Sequence, residues 1–332
     1  MLFLTLLLSS CSNEKKEIIK SGKDGTIVNT DKNDTLKGSM NADKKIKIDS
    51  GANISGNKNF AVSIINTPVL CSKDFKNVFG GSNGYTLKKS KTGLVKEVEF
   101  VAYPGTCFEI LNSYKVEDHY IYTVKCDEYD IILGGDSLYI DSRFVKLTDK
   151  KIASPNKECP EKDQIFNYFD KSIGALYVWG ANNLSGVPEM MKYYPSSKSL
   201  NIEDSKTWML KGVDCSGLLY EATNGYSPRN TYQLVSFGEQ VEIKGLTADA
   251  IAKIVKPLDL IVWKGHLIIV YDKRTTIQSA HTAGGVAKKD LLQVLRNLCN
   301  KRTPRNSWSD DSPDSFVIRR WFDQKDDKNF GK

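Results

Sequence analysis

Histidine is scarce in this chain, with three in 332 residues. A reaction that needs an imidazole base has only His119, His266 and His281 to draw on. None of the seven cysteines falls into the paired spacing of a metal site, so no metal and no cofactor are expected. No basic helix is interleaved with base-stacking aromatics, which removes nucleic acid from the expected partners. Beyond the first residues no apolar run approaches the ~20 residues of a membrane-spanning helix. Everything after residue 11 is therefore expected to be soluble. What is present is enough apolar material for real cores, 40% of the chain. The net charge of +7 is spread along the sequence, which favours anionic surfaces such as lipid headgroups or cell-wall polymer.

Length suggests about two domains once a tail is subtracted. The tail begins with an apolar run, residues 1–10, closed by Leu8-Ser9-Ser10-Cys11. A short apolar region, small residues and then cysteine is the pattern of a bacterial lipoprotein signal, with Cys11 as the lipidated residue. The positively charged region that usually opens such a signal is missing. Lipid on Cys11 would hold the protein on a membrane. Residues 12–59 are rich in Lys, Asp, Asn, Ser and Gly without a sustained period. They bury too little apolar surface to offset chain entropy and read as a flexible tether.

From residue 60 to about 150 the texture changes to short alternating strands, at 95–103, 107–114, 120–126 and 138–145. Gly80-Gly81-Ser82-Asn83-Gly84, Pro104-Gly105 and Gly134-Gly135 separate them as turns. The expected unit is a small all-β barrel of SH3 type, closed by the strand 138–145. His119 falls at a polar hairpin tip and is expected to be solvated. Cys107 and Cys126 lie on neighbouring strands; they read equally as a disulfide and as buried thiols.

The remainder, 158–325, mixes helices and strands. Residues 161–176 carry Ile165, Phe166, Phe169, Ile173 and Leu176 at helical spacing and lead into Tyr177-Val178-Trp179-Gly180-Ala181. A long polar stretch, 182–211, follows and reads as a surface insertion or as a lid or substrate wall. Then comes Gly212-Val213-Asp214-Cys215-Ser216-Gly217, where Cys215 enters an apolar helix that Asn224-Gly225 stops. At a helix start, free N–H groups and the positive dipole end favour a thiolate. Asp214 is a natural cap for that helix. Short helices are expected at 248–255 and 291–299, and antiparallel strands at 260–263, 266–271, 277–280 and 316–321. A cysteine-bearing helical half packed on an antiparallel sheet that carries histidine is an α+β arrangement.

A cysteine nucleophile needs a base within hydrogen-bond reach, and the base needs an orienting group. His266 heads the strand 266–271, whose unbroken Leu267-Ile268-Ile269-Val270 suits burial on both faces. On the next strand both Gln278 and His281 could take the second ring nitrogen of His266. Their spacing puts them on opposite faces of a regular strand, and periodicity does not choose between them.

Tyr177-Val178-Trp179-Gly180, Asp214-Cys215-Ser216-Gly217, Pro228-Arg229-Asn230-Thr231, Pro257-Leu258-Asp259-Leu260 and Gly265-His266 occur in that order. Together they resemble the motifs of the NlpC family, papain-like bacterial peptidases of the cell wall, over roughly residues 161–321. The resemblance implies a papain-like catalytic domain with an SH3-like companion. It implies hydrolysis of peptidoglycan stem peptides, typically between D-γ-glutamate and the diamino acid, in the bacterial cell envelope, at a periplasmic or surface membrane. Cys215 matches the nucleophile and His266 the base. The third polar residue, twelve positions after that histidine, falls on Gln278; a small shift would bring His281 there.

In relatives that require a free N-terminal L-alanine on the stem, a tyrosine, an aspartate and a serine surround its amine. Tyr177, Asp214 and Thr231 match those positions, and Ser216 and Trp179 join them as expected substrate contacts. Two departures stand out. Ala181 replaces a usual second glycine, and the connection from Tyr177 to Cys215 is unusually long. The other readings of the same residues are a non-catalytic module that grips stem peptides and an amidase or acyltransferase on the same fold.

Overall fold

Strand-forming residues between 60 and 148 pair into one antiparallel sheet in the computed structural model, which describes residues 59–129, 137–155 and 157–322. The signal-like residues 1–11 with Cys11, and 12–58 of the tether, lie outside the described residues. In spatial order the sheet runs Val98–Ala102, Thr67–Leu70, Leu138–Asp141, His119–Cys126, Cys107–Val116, Phe60–Ser63, Val145–Thr148. Its central hairpin turns in two residues, since Val116 pairs with His119. A bulge between Ile110 and Asn112 turns Leu111 outward, 50% exposed.

Two expectations for this half are corrected, and one left open is decided. The closing strand 138–145 is interrupted by a 3₁₀ turn, Ser142–Phe144, because Asp141 caps the Arg143 N–H at 2.8 Å. His119 is not solvated but 7% exposed, with Nδ1 3.2 Å from Asp118 and Nε2 3.8 Å from the buried Asp141. Cys107 and Cys126 are both free thiols. The register explains this: Cys126 sits opposite Phe108, so its neighbour Cys107 projects to the other face.

The second sheet, in 239–320, has the order Glu239–Gln240, Ser315–Arg320, Leu260–Trp263, His266–Val270, Thr275–Ala280, Gly285–Asp290. Alternation along its strands feeds two cores. Leu267 and Ile269 face the helices Lys162–Ser172 and Cys215–Ala222, while Ile268 and Val270 face Ala248–Ile254 and Leu291–Cys299. Among the described residues the structure is thus mixed α+β, with two large, mainly antiparallel sheets. Among the described residues no helix is long and apolar enough to cross a membrane.

The stretch 182–211 is not a free surface insertion. Val187, Met190, Tyr194, Trp208 and Leu210 share one core with Phe75, Phe79 and Leu87 of the first half. Tyr194 stacks on Phe75 at 5.6 Å and its hydroxyl donates to Asp141 at 2.5 Å. The indole N–H of fully buried Trp208 donates to the Tyr194 carbonyl at 2.8 Å. Removing a core aromatic of this size costs roughly 3–5 kcal/mol, so the insertion fixes the first sheet against the second half.

Candidate active site

The Cys215 helix starts where a short ladder ends. Gly212–Val213 pairs with Asn182–Asn183, and Asp214 leaves it in an extended conformation as the cap. The Asp214 carboxylate accepts the Gly217 N–H at 2.6 Å, and Cys215 is the first helical residue. A side chain on Gly217 would meet the Ala181 carbonyl at 2.2 Å, so the helix passes too close to residues 180–182 for anything larger than glycine.

Cys215 is buried in one core with Leu267, the second residue of the strand His266–Val270. The thiol therefore lies at the head of the His266 strand. His266 is half-buried, and its Nε2 meets Gln278 Oε1 at 2.7 Å. With that oxygen accepting, Nε2 carries the proton and Nδ1 is the basic nitrogen. Gln278 is thus the side chain that meets His266. His281 sits in the following turn, 5.8 Å from the ring of Tyr177.

Both groups are electrically neutral at rest. Burial pushes the Cys215 thiol up to about 12, and the adjacent Asp214 pushes the same way, against the Leu267 and Ser216 N–H groups and Arg229. The helix start favours a thiolate as expected, through the Ser216 N–H, but desolvation outweighs it. Burial lowers His266, opposed by its bond to Gln278, so its imidazole is unprotonated at neutral pH. Trp263 packs on His266 at 5.2 Å, and the guanidinium of Arg302 lies 4.6 Å over Trp263.

The residues expected to hold a substrate amine divide. Asp214 Oδ1 accepts from Gly217, the Ser216 hydroxyl (3.2 Å) and Arg229 Nη1 (3.1 Å). Its Oδ2 accepts from Gly180 N–H (3.0 Å) and Arg229 Nη2 (2.7 Å). A carboxylate has about four lone-pair sites, so Asp214 is filled from within. Ser216 also accepts from Arg229, at 2.9 Å, and Thr231 accepts the Gly265 N–H at 2.9 Å. Tyr177 and Trp179 instead line a narrow cleft of about 20 Å³ with His281, Lys89, Glu203 and Thr207. The helix Ile202–Trp208 of the insertion thus forms part of a wall beside Tyr177. A larger cavity, about 470 Å³, lies between Lys244, Cys299 and Arg305 and includes none of these residues.

Sequence reasoning quoted Arg229 only as part of a motif. It is 3% exposed and forms a bidentate pair with Asp214 across 15 positions of sequence. A buried arginine must find a carboxylate, and the acid beside Cys215 was the signal that could have found it. Among the described residues no three His, Cys, Asp or Glu side chains converge as metal ligands would.

No family model matches the chain, and none of the curated proteins does. Among solved structures, the peptidoglycan hydrolase RipB of Mycobacterium tuberculosis is similar at 18% identity and a TM-score of 0.30, covering 48% of this chain and 64% of that one. An NlpC/P60 family protein from Bacillus cereus matches at 13% identity and a TM-score of 0.30, over 80% of this chain and 64% of that one. NlpC2 from Trichomonas vaginalis matches at 16% identity and a TM-score of 0.27, over 79% and 72%. The chain thus spans 64% of the length of each of the first two structures.

Proposed function

We propose that the chain is a cell-wall cysteine peptidase that hydrolyses peptidoglycan stem peptides at the D-γ-glutamyl–diamino acid bond. The observation that carries this reading is the thiol of Cys215 at a helix start, at the head of the strand whose His266 is oriented by Gln278. The substrate enters beside Tyr177. His266 Nδ1 takes the proton from the neutral thiol as the sulfur attacks the amide carbonyl. Backbone N–H groups at the helix start and the Tyr177 hydroxyl stabilise the oxyanion. The imidazolium then passes its proton to the leaving amine. Water, deprotonated by the same imidazole, releases the acyl group from sulfur.

The division into units 60–150 and 158–325 and lipid attachment at Cys11, with the envelope location that follows, belong to the same proposal. The saturated Asp214 argues for a wider substrate range than stems with a free L-alanine amine. The burial of Cys215, which opposes ionisation of its thiol, favours the non-catalytic reading and makes slow alkylation uninformative between the two. Turnover separates them. Digestion of defined muropeptides, followed by mass spectrometry, is expected to release fragments beginning with the diamino acid. Cys215→Ala should release none while keeping its circular dichroism spectrum. Undiminished release by that variant sinks the proposal.

A further inference from the structure

The Val98–Ala102 strand is an edge of the first sheet, and an edge strand carries N–H and C=O groups that need partners. At Val101 both are taken by one side chain from the second half of the molecule. Asn182 Oδ1 accepts the Val101 N–H at 3.0 Å, and Asn182 Nδ2 donates to the Val101 carbonyl at 2.9 Å. The same Oδ1 accepts from Arg229 Nε at 3.1 Å. Arg229 in turn grips Asp214, which caps the helix of Cys215.

Every member of this chain of bonds is buried. Asn182 and Val101 are fully so, and Arg229 and Asp214 are nearly so. Two further contacts tie the same junction. The Tyr103 hydroxyl donates to the Asn182 carbonyl at 3.2 Å. Gly180, whose N–H holds Asp214, has a φ of +71°, and a side chain there would meet the Val98 carbonyl at 2.4 Å. The strand therefore rests directly on the loop that binds the cap.

We infer that Asn182 is a positioning residue: it uses the edge of the first sheet as a fixed reference for the Arg229–Asp214 pair and hence for Cys215. This rests on the peptidase reading for its consequence in rate, but the geometry stands apart from it. An amide is suited to the task because it offers one acceptor and one donor to the strand while a second lone pair stays free for Arg229. No ionised side chain does all three. A reactive sulfur displaced by about 1 Å loses on the order of 100-fold in rate, so a reference of this kind has kinetic weight although it touches no substrate.

The test uses the full chain carrying Asn182→Ala, with Asn182→Asp as the milder variant, which keeps both acceptor contacts and loses the donor. Two quantities are read: kcat and KM on a defined muropeptide, and the alkylation rate of Cys215 by iodoacetamide at mildly alkaline pH, followed on the Cys215 peptide by mass spectrometry. For Asn182→Ala the expected result is a fall in kcat of about tenfold or more with KM within about twofold. Cys215 alkylation slows, because a loosened Arg229 no longer favours the thiolate. Asn182→Asp falls between. A purely structural role predicts a fall in kcat that follows the folded fraction with alkylation unchanged or faster; that outcome overturns the inference. If the wild-type chain turns over no muropeptide, the peptidase reading fails, and the alkylation rates alone still decide the role of Asn182.

Discussion

On the cap side of the Cys215 helix one carboxylate takes hydrogen bonds from Gly180, Ser216, Gly217 and both terminal nitrogens of Arg229. On the reactive side an uncharged thiol packs in one core with Leu267, and the neighbouring His266 is an uncharged imidazole that meets the amide of Gln278. The charged groups are locked into scaffold, and the neutral ones are those proposed to carry the chemistry. This difference teaches which residues can change without loss of reaction. A saturated ion pair holds geometry and has no capacity left for substrate, whereas a neutral acid–base pair is ready to exchange a proton when a carbonyl arrives.

The largest effect should come from the reactive side. His266→Ala is expected to lower kcat by about three orders of magnitude or more, measured on a defined muropeptide, with thermal unfolding little changed. A cap side that mattered as much for chemistry would instead give an equal loss in both places. Arg229→Met should act mainly on stability. It leaves Asp214 charged and buried without its partner, which costs about 3–5 kcal/mol, read as a lower midpoint in urea. A variant as stable as the wild type would break the comparison.

Gln278→Ala should cost about fivefold in kcat, since one orienting hydrogen bond contributes about 1 kcal/mol. It also sharpens the pH dependence. His266 must be neutral to act as base, so kcat/KM rises with pH along an acid limb set by a value below the ordinary 6.5. The Gln278 bond raises that value, and its loss should move the limb to lower pH. For stability the sign is the usual one for a depressed group. The folded state holds this proton less readily than the unfolded chain, so the contribution of His266 is present above about pH 6.5 and is lost as pH falls through the folded value. The smallest effect is expected from the substrate. Acetylating the stem's N-terminal amine should change kcat/KM by no more than about threefold, because Asp214 has no acceptor site left for an ammonium. A loss above a hundredfold would return Asp214 to the substrate.

The reactive side was more legible in the sequence than the cap side. Cys215, its helix and the His266 strand are local patterns, and Leu267 to Val270 do alternate between two buried faces as an unbroken apolar run suggests. The partners of Asp214 are not local. Asn182 and Arg229 meet across 47 positions and carry no period that marks them. The strand Gly285–Asp290 went unread because Lys288, Lys289 and Asp290 are polar and sit at a sheet edge, where only one side needs pairing. Residues 182–211 looked polar as a whole, yet Met190, Tyr194, Trp208 and Leu210 are buried in them. Their spacing follows two short helices and loops, so no single period reveals the face that docks on the first sheet.

The distinction between a locked cap and a neutral reactive pair is tested most directly by titrating the thiol. Ultraviolet difference absorbance between the wild type and Cys215→Ala reports thiolate at this one residue. The expected result is no thiolate signal at neutral pH and a rise only in the alkaline range, toward the value of about 12 that burial imposes. A full thiolate signal at neutral pH, which would mean a preformed thiolate–imidazolium pair, contradicts it.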